Sequence, residues 1–442
     1  MALARLAAAR HAQREASLLI TGYVVLALLV ALVGVVAGLG ALLGTATITD
    51  RPPLFLLAGF LAFCVAYLLG LLLVTRKANT TRRRRVRLIS FCAGTALVVG
   101  PFALTALIPL DDPQLPPAPV EGQRFWEFPT GSRIAYVRVP AEGRAREAPV
   151  IFLHGGPGVP DMRGDSEYFE RISRDGFDIY VYDMVGRGRS SRLADPRGYT
   201  LERDVADLEA IHWEIGAEKV VLIGHSYGAV LAAAYAASHP ERVEQMVLSS
   251  PGDPSPSAGG ASMLFRLSTQ EKLGVYRLLL PPRPMLAYAL LQVNPEAAHA
   301  FATDAEMDAR FDRVYNRTRP ALHCQSKPPG PELHGLGFYA HYYPQSATSP
   351  PHAEFLSALT GQDIPALVIK GRCDYLTWSS AQEYLGALPG AQVLYLDGSG
   401  HNAYQDEPER YMAGVRAFLL GRPSPERPYV GSRPPDGYEG PP

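Results

Sequence analysis

The chain has 442 residues, 42 basic and 43 acidic side chains, and a formal net charge of −1, so it is too long for one typical soluble domain. The charge is divided unevenly, because residues 1–110 hold 11 Lys and Arg against 2 acidic residues. This basic part is also the apolar part. Its arginines are not interleaved with aromatic residues, which argues against a nucleic-acid-binding protein.

Three long stretches of the N-terminal part carry no charge, and each exceeds the roughly 20 residues that a helix needs to cross a bilayer. A signal peptide is the alternative for the first stretch, although its apolar core of about 7–15 residues would be much shorter. A pair of soluble core helices is a second alternative. We predict a membrane anchor over residues 1–110 with three transmembrane helices, at about 17–44, 54–74 and 88–109.

The basic residues also predict an orientation in the membrane. Three arginines precede the first span, and seven basic residues, including Arg82–Arg85, lie between the second and the third. Basic segments stay on the cytoplasmic side, so we expect a cytoplasmic N-terminus in a bacterial plasma membrane and an extracytoplasmic position for everything after Pro109. The spans contain no charged residue, which argues against a transporter.

The rest of the chain begins with a Pro-rich linker at 111–124 and then alternates strands with helices. This alternation predicts a mostly parallel sheet with helices on both faces. The pattern stops over 253–355, which we expect to be an inserted helical cap, and the Pro/Gly-rich 422–442 is expected to be a disordered tail. The predicted α/β core therefore comprises 125–252 and 356–421. Its strands are predicted at 133–139, 150–153, 177–182, 219–223, 243–248, 366–369 and 392–396.

Two of the four cysteines, Cys64 and Cys92, lie in predicted spans and are expected to pack there. Cys324 and Cys373 lie in the outer region, where a disulfide can persist. Their spacing alone leaves the bond open.

The most informative motif is Gly224-His225-Ser226-Tyr227-Gly228, which follows the predicted strand at 219–223 and precedes an Ala-rich helix. A nucleophilic serine on a sharp strand-to-helix turn needs small neighbours. Such a serine needs a histidine base oriented by a carboxylate. Asp374 and His401 follow later strands in the order typical of α/β-hydrolases, and Asp253 is the alternative acid.

Other candidate sites are weaker. His154 and His225 are expected to pack or hydrogen-bond within their turns. His341, His352 and His401 have no metal-ligand spacing, and the chain lacks a phosphate-binding loop and a dinucleotide fingerprint. We therefore expect neither a metal nor a cofactor. Serine at 226 also argues against hydrolases that use a carboxylate nucleophile.

Five motifs together carry a family resemblance: HGGPG at 154–158, DMVGRGRS at 183–190, GHSYG at 224–228, GRCD at 371–374 and GSGH at 398–401. Over about 125–420 the chain resembles the proline iminopeptidase-like branch of the α/β-hydrolases, a serine peptidase family that also contains tripeptidyl aminopeptidases. The resemblance implies release of N-terminal residues, often proline, from short peptides.

By position, the resemblance makes Ser226 the nucleophile, Asp374 the orienting acid and His401 the base. The backbone N–H groups of Gly156 and Tyr227 would form the oxyanion hole. The supporting motif residues would be His154, Gly155, Pro157, Gly158, Gly224, Gly228, Asp183 and Arg187, with Ser190 in the second motif.

Two features depart from that family. Its usual elbow is G-G-S-W-G, whereas this chain has His225 and Tyr227. Aminopeptidases of the family hold the substrate ammonium with cap carboxylates, but none of the candidate acids here aligns with a motif, and each fits a solvated helix position. The aromatic run 338–343 either lines a substrate pocket or packs the cap. The candidate acids are Glu271, Glu296 and Glu306.

The sequence thus predicts a membrane-anchored serine hydrolase, with an aminopeptidase acting on peptides as the first hypothesis. An esterase or lipase-like hydrolase on the same machinery is the alternative. A non-catalytic surface binding protein on a hydrolase scaffold is the alternative of another class. The expected partners are a small peptide or ester substrate and the lipid bilayer, and the sequence leaves the oligomeric state open.

Overall fold

The computed structural model describes residues 2–76, 80–156, 159–254, 262–324, 331–349 and 354–441. The chain forms two compact units. The N-terminal unit comprises Met1–Leu110 and Pro281–Ala302, and the hydrolase unit comprises Asp111–Leu280 and Thr303–Pro442.

Three long helices dominate the N-terminal unit: α1 (Ala2–Ala46), α2 (Pro52–Val74) and α3 (Thr80–Phe102), the last continued by a π-helical turn at Ala103–Leu107. Prolines occupy the first positions of α2. A helix leaves its first N–H groups unpaired, so residues without an N–H are well tolerated there. Each helix holds an apolar segment long enough to cross a membrane. These segments are Thr21–Ala46, Pro52–Val74 and Arg84–Leu107.

Small residues and aromatic rings hold these helices together. A Cβ on Gly59 would lie 2.9 Å from the carbonyl oxygen of Gly38, so the backbones of α1 and α2 approach more closely there than larger residues permit. Tyr67 stacks on Phe63 and donates a 3.0 Å hydrogen bond to the carbonyl of Ser90 on α3. Such hydrogen bonds are the polar contacts that an apolar environment tolerates.

Part of the predicted cap belongs to the N-terminal unit. Helices α8 (Pro282–Leu291) and α9 (Pro295–Phe301) lie in its second segment. The side chain of Arg283 is buried and donates to the carbonyls of Ala106 and Phe301 at 3.2 and 2.9 Å. Asn294 donates to the carbonyl of Ala46 at 2.8 Å. These contacts satisfy carbonyls that the ends of helices leave open, and the expected cap at 253–355 is therefore divided between the two units.

The hydrolase unit is built on one eight-stranded sheet with the order β1-β2-β4-β3-β5-β6-β7-β8. The pairs β1–β2 and β2–β4 are antiparallel and the others are parallel. Strands β3, β4, β5 and β7 are buried along their whole length, as expected for strands covered on both faces. The strands are β1 Arg124–Glu127, β2 Arg133–Val139, β3 Val150–Leu153, β4 Ile179–Tyr182, β5 Val220–His225, β6 Val243–Ser249, β7 Ala366–Gly371 and β8 Gln392–Leu396.

Helices cover both faces of this sheet. On one face, Phe152, Ile223 and Ile369 share a core cluster with residues of α4 (Met162–Phe169) and α15 (Pro408–Leu419). Helix α6 (Tyr227–Ser238) packs against β3, β5 and β6. The predicted α/β-hydrolase architecture is therefore confirmed. The helices of this unit are α4 Met162–Phe169, α5 Leu201–Ile215, α6 Tyr227–Ser238, α7 Thr269–Leu279, α10 Asp304–Thr318, α11 Phe338–Tyr342, α12 Leu356–Leu359, α13 Trp378–Ala387, α14 Ala403–Asp406 and α15 Pro408–Leu419.

The C-terminal tail lacks helices and strands over its described residues, but it is packed, in contrast to the expected disorder. Tyr429 donates its N–H to the carbonyl of Val393 at 2.9 Å. The rings of Tyr429 and Tyr438 meet the buried ring of Trp378 with centroids 5.5 and 5.4 Å apart. Three aromatic residues supply enough apolar surface to order a segment whose prolines and glycines favour disorder.

Candidate active site

Ser226 lies at a sharp turn between β5 and α6 with φ 54°, a conformation that side chains other than glycine rarely adopt. The flanking glycines permit the turn. A Cβ on Gly228 would lie 2.0 Å from the carbonyl oxygen of Leu153, and one on Gly224 would lie 2.3 Å from that of Gly228. Only glycine allows β3 and α6 to approach this closely, so the motif performs the structural task predicted for it.

The first glycine-rich motif lies beside this turn. A Cβ on Gly155 would lie 3.2 Å from the Cβ of Ser226, and Gly156 has φ 136°. Tyr227 is the first residue of α6, so its N–H is one of the donors that a helix leaves unpaired at its N-terminus. The other two residues of the motif, Pro157 and Gly158, lie outside the described residues.

Asp374 and His401 follow β7 and β8, and the structure brings them together. The Nδ1–H of His401 donates to Oδ1 of Asp374 at 2.8 Å, and the N–H of Leu376 donates to the same oxygen at 3.1 Å. The side chains of both residues are buried. Asp253, the alternative acid, is exposed. Ser226 and His401 line one cavity.

Sequence reasoning missed a lysine on the second oxygen of this carboxylate. The ammonium of Lys370, on β7, lies 2.8 Å from Oδ2 of Asp374, and both side chains are 0% exposed. Burial acts to raise the pKa of Asp374, but the charges of Lys370 and His401 outweigh it and hold that pKa well below its usual range. A single charged residue in an apolar strand was the signal in the sequence.

His154 bonds to its own turn and to the loop after β4, whereas His225 bonds to the loop after β8 and not, as expected, within its turn. His154 accepts the N–H of Met184 at Nε2 (3.1 Å), and its Nδ1 lies 2.8 Å from the carbonyl of Gly155, so Nδ1 carries the proton. Nε2 of His225 lies 3.2 Å from Oδ1 of Asn402, and its ring contacts that of His401. Burial lowers the pKa of both imidazoles to about 3, so both are neutral near pH 7.

The DMVGRGRS motif forms a tight loop after β4. Oδ2 of Asp183 accepts the N–H of Arg189 at 2.8 Å, and the hydroxyl of Ser190 accepts the N–H of Ala135 at 2.9 Å while it donates to the carbonyl of Asp183. Burial raises the pKa of Asp183 to about 7. These bonds join the loop to strand β2 and support a structural role for Asp183.

Arg187 connects the same loop to the elbow. Its buried guanidinium lies 3.2 Å from Oδ1 of Asp204 and donates to the carbonyl of Ala340 at 3.2 Å. Tyr227, next to Ser226, donates its hydroxyl to Oδ2 of Asp204 at 2.8 Å. The hydroxyl of Tyr227 is thus held by the ion pair between Arg187 and Asp204. A tryptophan, which is usual at this position in the family, would present its N–H to that pair in a different geometry.

Ser226 opens on a cavity of about 210 Å³ in the hydrolase unit. Two carboxylates line it, Asp161 and Asp165, although neither was singled out in the sequence. Of the aromatic run at 338–343, His341 and Tyr342 line the cavity. Apolar side chains form much of the rest of the wall: Met263, Leu264, Val275, Leu279, Phe311 and Val314.

The cap acids considered in the sequence have other positions. The carboxylate of Glu271 accepts from the N–H and the hydroxyl of Ser268 at 2.8 and 2.7 Å and closes a capping box at the start of α7. Glu306 lies in the first turn of α10 and Glu296 in that of α9. Among the described residues that line the cavity, none of the three glutamates occurs.

A disulfide joins Cys324 to Cys373, the residue before Asp374. Cys324 also donates its N–H to Oδ2 of Asp406, on α14, at 3.1 Å. A carboxylate oxygen of Glu439 lies 3.3 Å from the sulfur of Cys373. The two sulfurs and this carboxylate are grouped closely enough to hold a metal ion, but sulfurs that are bonded to each other are not the thiolates that bind zinc.

This sheet, with a serine on the elbow after β5 and an acid and a histidine after β7 and β8, defines a serine hydrolase of the α/β-hydrolase fold. Residues 148–408 match the family model described as the alpha/beta hydrolase fold, which is more than half of the chain, and the protein belongs to this family.

Two kinds of relative stand out within the family. A proline iminopeptidase of Lactiplantibacillus plantarum is 27% identical over 291 residues, which cover 64% of this chain and 96% of the relative. A (lyso)-N-acylphosphatidylethanolamine lipase of Mus musculus is 27% identical over 310 residues, covering 66% and 84%.

The solved structures similar to this chain include two further hydrolases. The proline iminopeptidase of Mycobacterium smegmatis has a TM-score of 0.44 at 21% identity, covering 68% of this chain and 98% of its own. A putative aryl esterase from Burkholderia cenocepacia has a TM-score of 0.47 at 18% identity, covering 68% and 98%.

Proposed function

We propose that this protein is a membrane-anchored aminopeptidase that removes N-terminal residues from short peptides through an acyl-enzyme on Ser226. The observation that carries the peptidase assignment is the pair of carboxylates, Asp161 and Asp165, in the cavity onto which Ser226 opens. An aminopeptidase must hold the ammonium of its substrate beside the acyl group, and an esterase has no such need.

The proposed reaction follows from the three side chains on the loops after β5, β7 and β8. His401 takes the proton of the Ser226 hydroxyl as the oxygen attacks the peptide carbonyl. Asp374 orients the imidazole through its 2.8 Å bond to Nδ1 and stabilises the positive charge that forms. The N–H groups of Tyr227 and Gly156 would stabilise the oxyanion. His401 then protonates the leaving amine, and water hydrolyses the acyl-enzyme by the same steps.

The two cavity carboxylates have the properties of an ammonium site. Oδ1 of Asp165 accepts the hydroxyl of Tyr404 at 3.1 Å, and Oδ1 of Asp161 accepts the N–H of Gly164 at 3.0 Å, so both groups are fixed in position. Burial raises the pKa of both, and their mutual repulsion raises that of Asp165 further. A substrate ammonium relieves both effects, since an opposite charge favours the ionised carboxylates.

Esterase activity on acylated lipids is the second candidate, and the apolar wall of the cavity favours it. Six apolar side chains from the segment 263–314 face the cavity, and three helices of the chain are long enough to cross a membrane. Against it, the volume of about 210 Å³ is below the roughly 300–1,000 Å³ of typical ligand pockets. A cavity of this size suits one short residue better than a long acyl chain.

The test uses the full chain in detergent with three substrate sets: proline and alanine arylamides, the same amides with an acetylated amine, and short-chain aryl esters. We expect hydrolysis of the free-amine amides and at least a tenfold lower kcat/KM for the acetylated ones, with Ser226→Ala inactive. Equal rates on free and acetylated amides, or turnover of esters alone, would overturn the peptidase assignment. Retained activity in Ser226→Ala would overturn the serine mechanism itself.

A variant pair locates the ammonium site within that test. Asp161→Asn should raise KM for the free-amine amides about tenfold, the value of a lost charged contact of about 1.4 kcal/mol, and leave aryl esters unaffected. Glu170→Gln is the matched control, because Glu170 is an exposed carboxylate at the C-terminal end of α4, the helix that Asp161 caps. A proportional loss on esters and amides in Asp161→Asn would assign Asp161 to structure.

We also propose that the hydrolase unit lies outside the cytoplasm. The basic segments before the first and third spans support this orientation. The Cys324–Cys373 disulfide supports it independently, because disulfides persist in oxidising compartments. Protease added to intact spheroplasts should remove the hydrolase unit and leave a tag at the N-terminus intact. Protection of the hydrolase unit until the cells are lysed would reverse the orientation.

A further inference from the structure

Lys370 stands out among the buried charges of the hydrolase unit because it contacts the triad acid directly. It is the fifth residue of β7, in the sequence Ala-Leu-Val-Ile-Lys-Gly, and its side chain is fully buried. Its ammonium lies 2.8 Å from Oδ2 of Asp374 and donates to the carbonyl of Leu376 at 3.2 Å. The lysine therefore contacts both the acid and the residue two positions after it.

A packing role does not require this residue. Burying an ammonium costs several kcal/mol even after relaxation, and an apolar side chain of similar volume often replaces a buried ion pair without loss. Oδ1 of Asp374 already accepts two N–H groups, from His401 and from Leu376. The lysine therefore adds a feature that simple orientation of the histidine does not need, namely a positive charge on the second oxygen of Asp374.

We propose that Lys370 is a positioning residue of the catalytic triad, whose ammonium holds Oδ2 of Asp374 and keeps the acid ionised, so that the enzyme remains active at lower pH. This inference rests on the proposed function of Ser226, Asp374 and His401. It extends the triad to a chain of four groups, from Lys370 through Asp374 and His401 to Ser226.

The sign of the pH effect follows from the charges. The attraction of the Lys370 ammonium for Asp374 opposes protonation of a carboxylate that burial alone would favour. Removing the ammonium makes that protonation easier. A protonated acid no longer stabilises the positive charge on the base, so activity is lost at a higher pH on the acidic side.

Other titratable groups face the same pair and stay in place when Lys370 is changed. The ring of Tyr375, after β7, lies 4.6 Å from that of His401, and the ring of His225, at the end of β5, lies 4.8 Å from it. Tyr438 of the C-terminal tail interacts electrostatically with Asp374. All three are neutral in the acidic range, so among these groups the wild type and the variants differ in charge only at position 370.

The experiment measures kcat/KM against pH for the full chain in detergent, with wild type, Lys370→Met and Lys370→Gln. Active sites are counted with a fluorophosphonate that labels Ser226. We expect the midpoint of the acidic limb to rise by about one pH unit in both variants, the lower end of the effect of a neighbouring charge. Glutamine is the informative member, because it keeps a donor near Asp374 and removes the charge.

The result that overturns the inference is an unchanged acidic limb in variants that label normally, with only the thermal stability lowered. Such a result would leave the proposed function intact, because labelling and turnover would still depend on Ser226. Failure of labelling in the wild type would instead reject the proposed function.

A second comparison keeps the inference testable if the single variants do not fold. Asp374→Asn leaves the ammonium of Lys370 without its carboxylate, whereas Lys370→Met combined with Asp374→Asn removes both charges. If the charge pair is what matters, the double variant unfolds at a higher temperature than Asp374→Asn alone. If Lys370 only fills space, the second substitution lowers that temperature further, and the proposal fails.

Discussion

The two units of this protein differ in the kinds of side chain that they bury. In the described part of the N-terminal unit, the helices meet through glycines, aromatic rings and single hydroxyls, and the buried charge is that of Arg283. The hydrolase unit buries a set of charges around the loops that follow its strands: Asp165, Asp183, Arg187, Asp204, Lys370 and Asp374. Buried charges are costly even when they are paired, so the concentration of these residues near one edge of the sheet marks where chemistry is expected.

The largest effect should come from the close contacts of the elbow. Gly228→Ala places a methyl group 2.0 Å from the carbonyl oxygen of Leu153, so the turn that carries Ser226 has to move. We expect activity to fall below detection together with a clear loss of thermal stability. Fluorophosphonate labelling and thermal unfolding of the full chain measure both.

Gly274→Ala is the matched control for that prediction. Gly274 lies within α7, and a Cβ there meets no atom within 4 Å. Alanine should raise stability by about 0.5–1 kcal/mol, since glycine weakens a helix interior by that amount. Activity near the wild-type level in Gly228→Ala would show that the elbow tolerates displacement, and the contrast between the two glycines would be lost.

Each member of the proposed triad has a local signal in the sequence. Ser226 lies between two glycines that the turn requires, and Asp374 and His401 follow apolar runs that have to be strands. Parallel strands place their carboxyl ends at one edge, so chain order alone brings the three loops together. The order of the strands within the sheet carries no comparable local signal.

The features that the sequence did not predict depend on the three-dimensional path of the chain. Lys370 is a single charge in a strand, and it meets Asp374, four residues later, only because the chain turns back after β7. Asp161 and Asp165 become cavity residues only because α4 follows the first glycine-rich turn. The composition of the C-terminal tail favoured disorder, but Tyr429 and Tyr438 pack against the buried ring of Trp378. Each case needs tertiary information that spacing does not contain.

A smaller effect is expected from the pH dependence of stability. Burial raises the pKa of Asp183 to about 7, above its unfolded value of about 3.9, so the folded state binds the extra proton between these values. Stability contributed by this group is present at acidic pH and is lost as pH rises towards 7. For this one group, the free energy of unfolding changes by at most about 1.4 kcal/mol per pH unit.

Asp183→Asn should flatten that slope, because an amide keeps an acceptor for the N–H of Arg189 and does not titrate. Urea unfolding of the hydrolase unit in the full chain, followed from pH 4 to pH 7, measures it. The exposed carboxylate of Asp363 supplies the control, and Asp363→Asn should retain the wild-type slope. A slope unchanged in Asp183→Asn would mean that other buried acids dominate the dependence.

The smallest effect is expected in the N-terminal unit, where polar contacts are few and can be removed one at a time. Asn294 donates to the carbonyl of Ala46, at the end of α1, and its side-chain oxygen caps the start of α9 by accepting the N–H groups of Glu296 and Ala297. Asn294→Ala removes both contacts and should destabilise this unit by about 1–2 kcal/mol. Asn294→Asp keeps the cap and loses only the donor, so it should recover about half of that loss. If the two variants unfold alike in detergent, the bond to Ala46 accounts for the whole effect. In that case the bond from Asn294 to the end of α1 contributes more to the stability of this unit than the cap of α9 does.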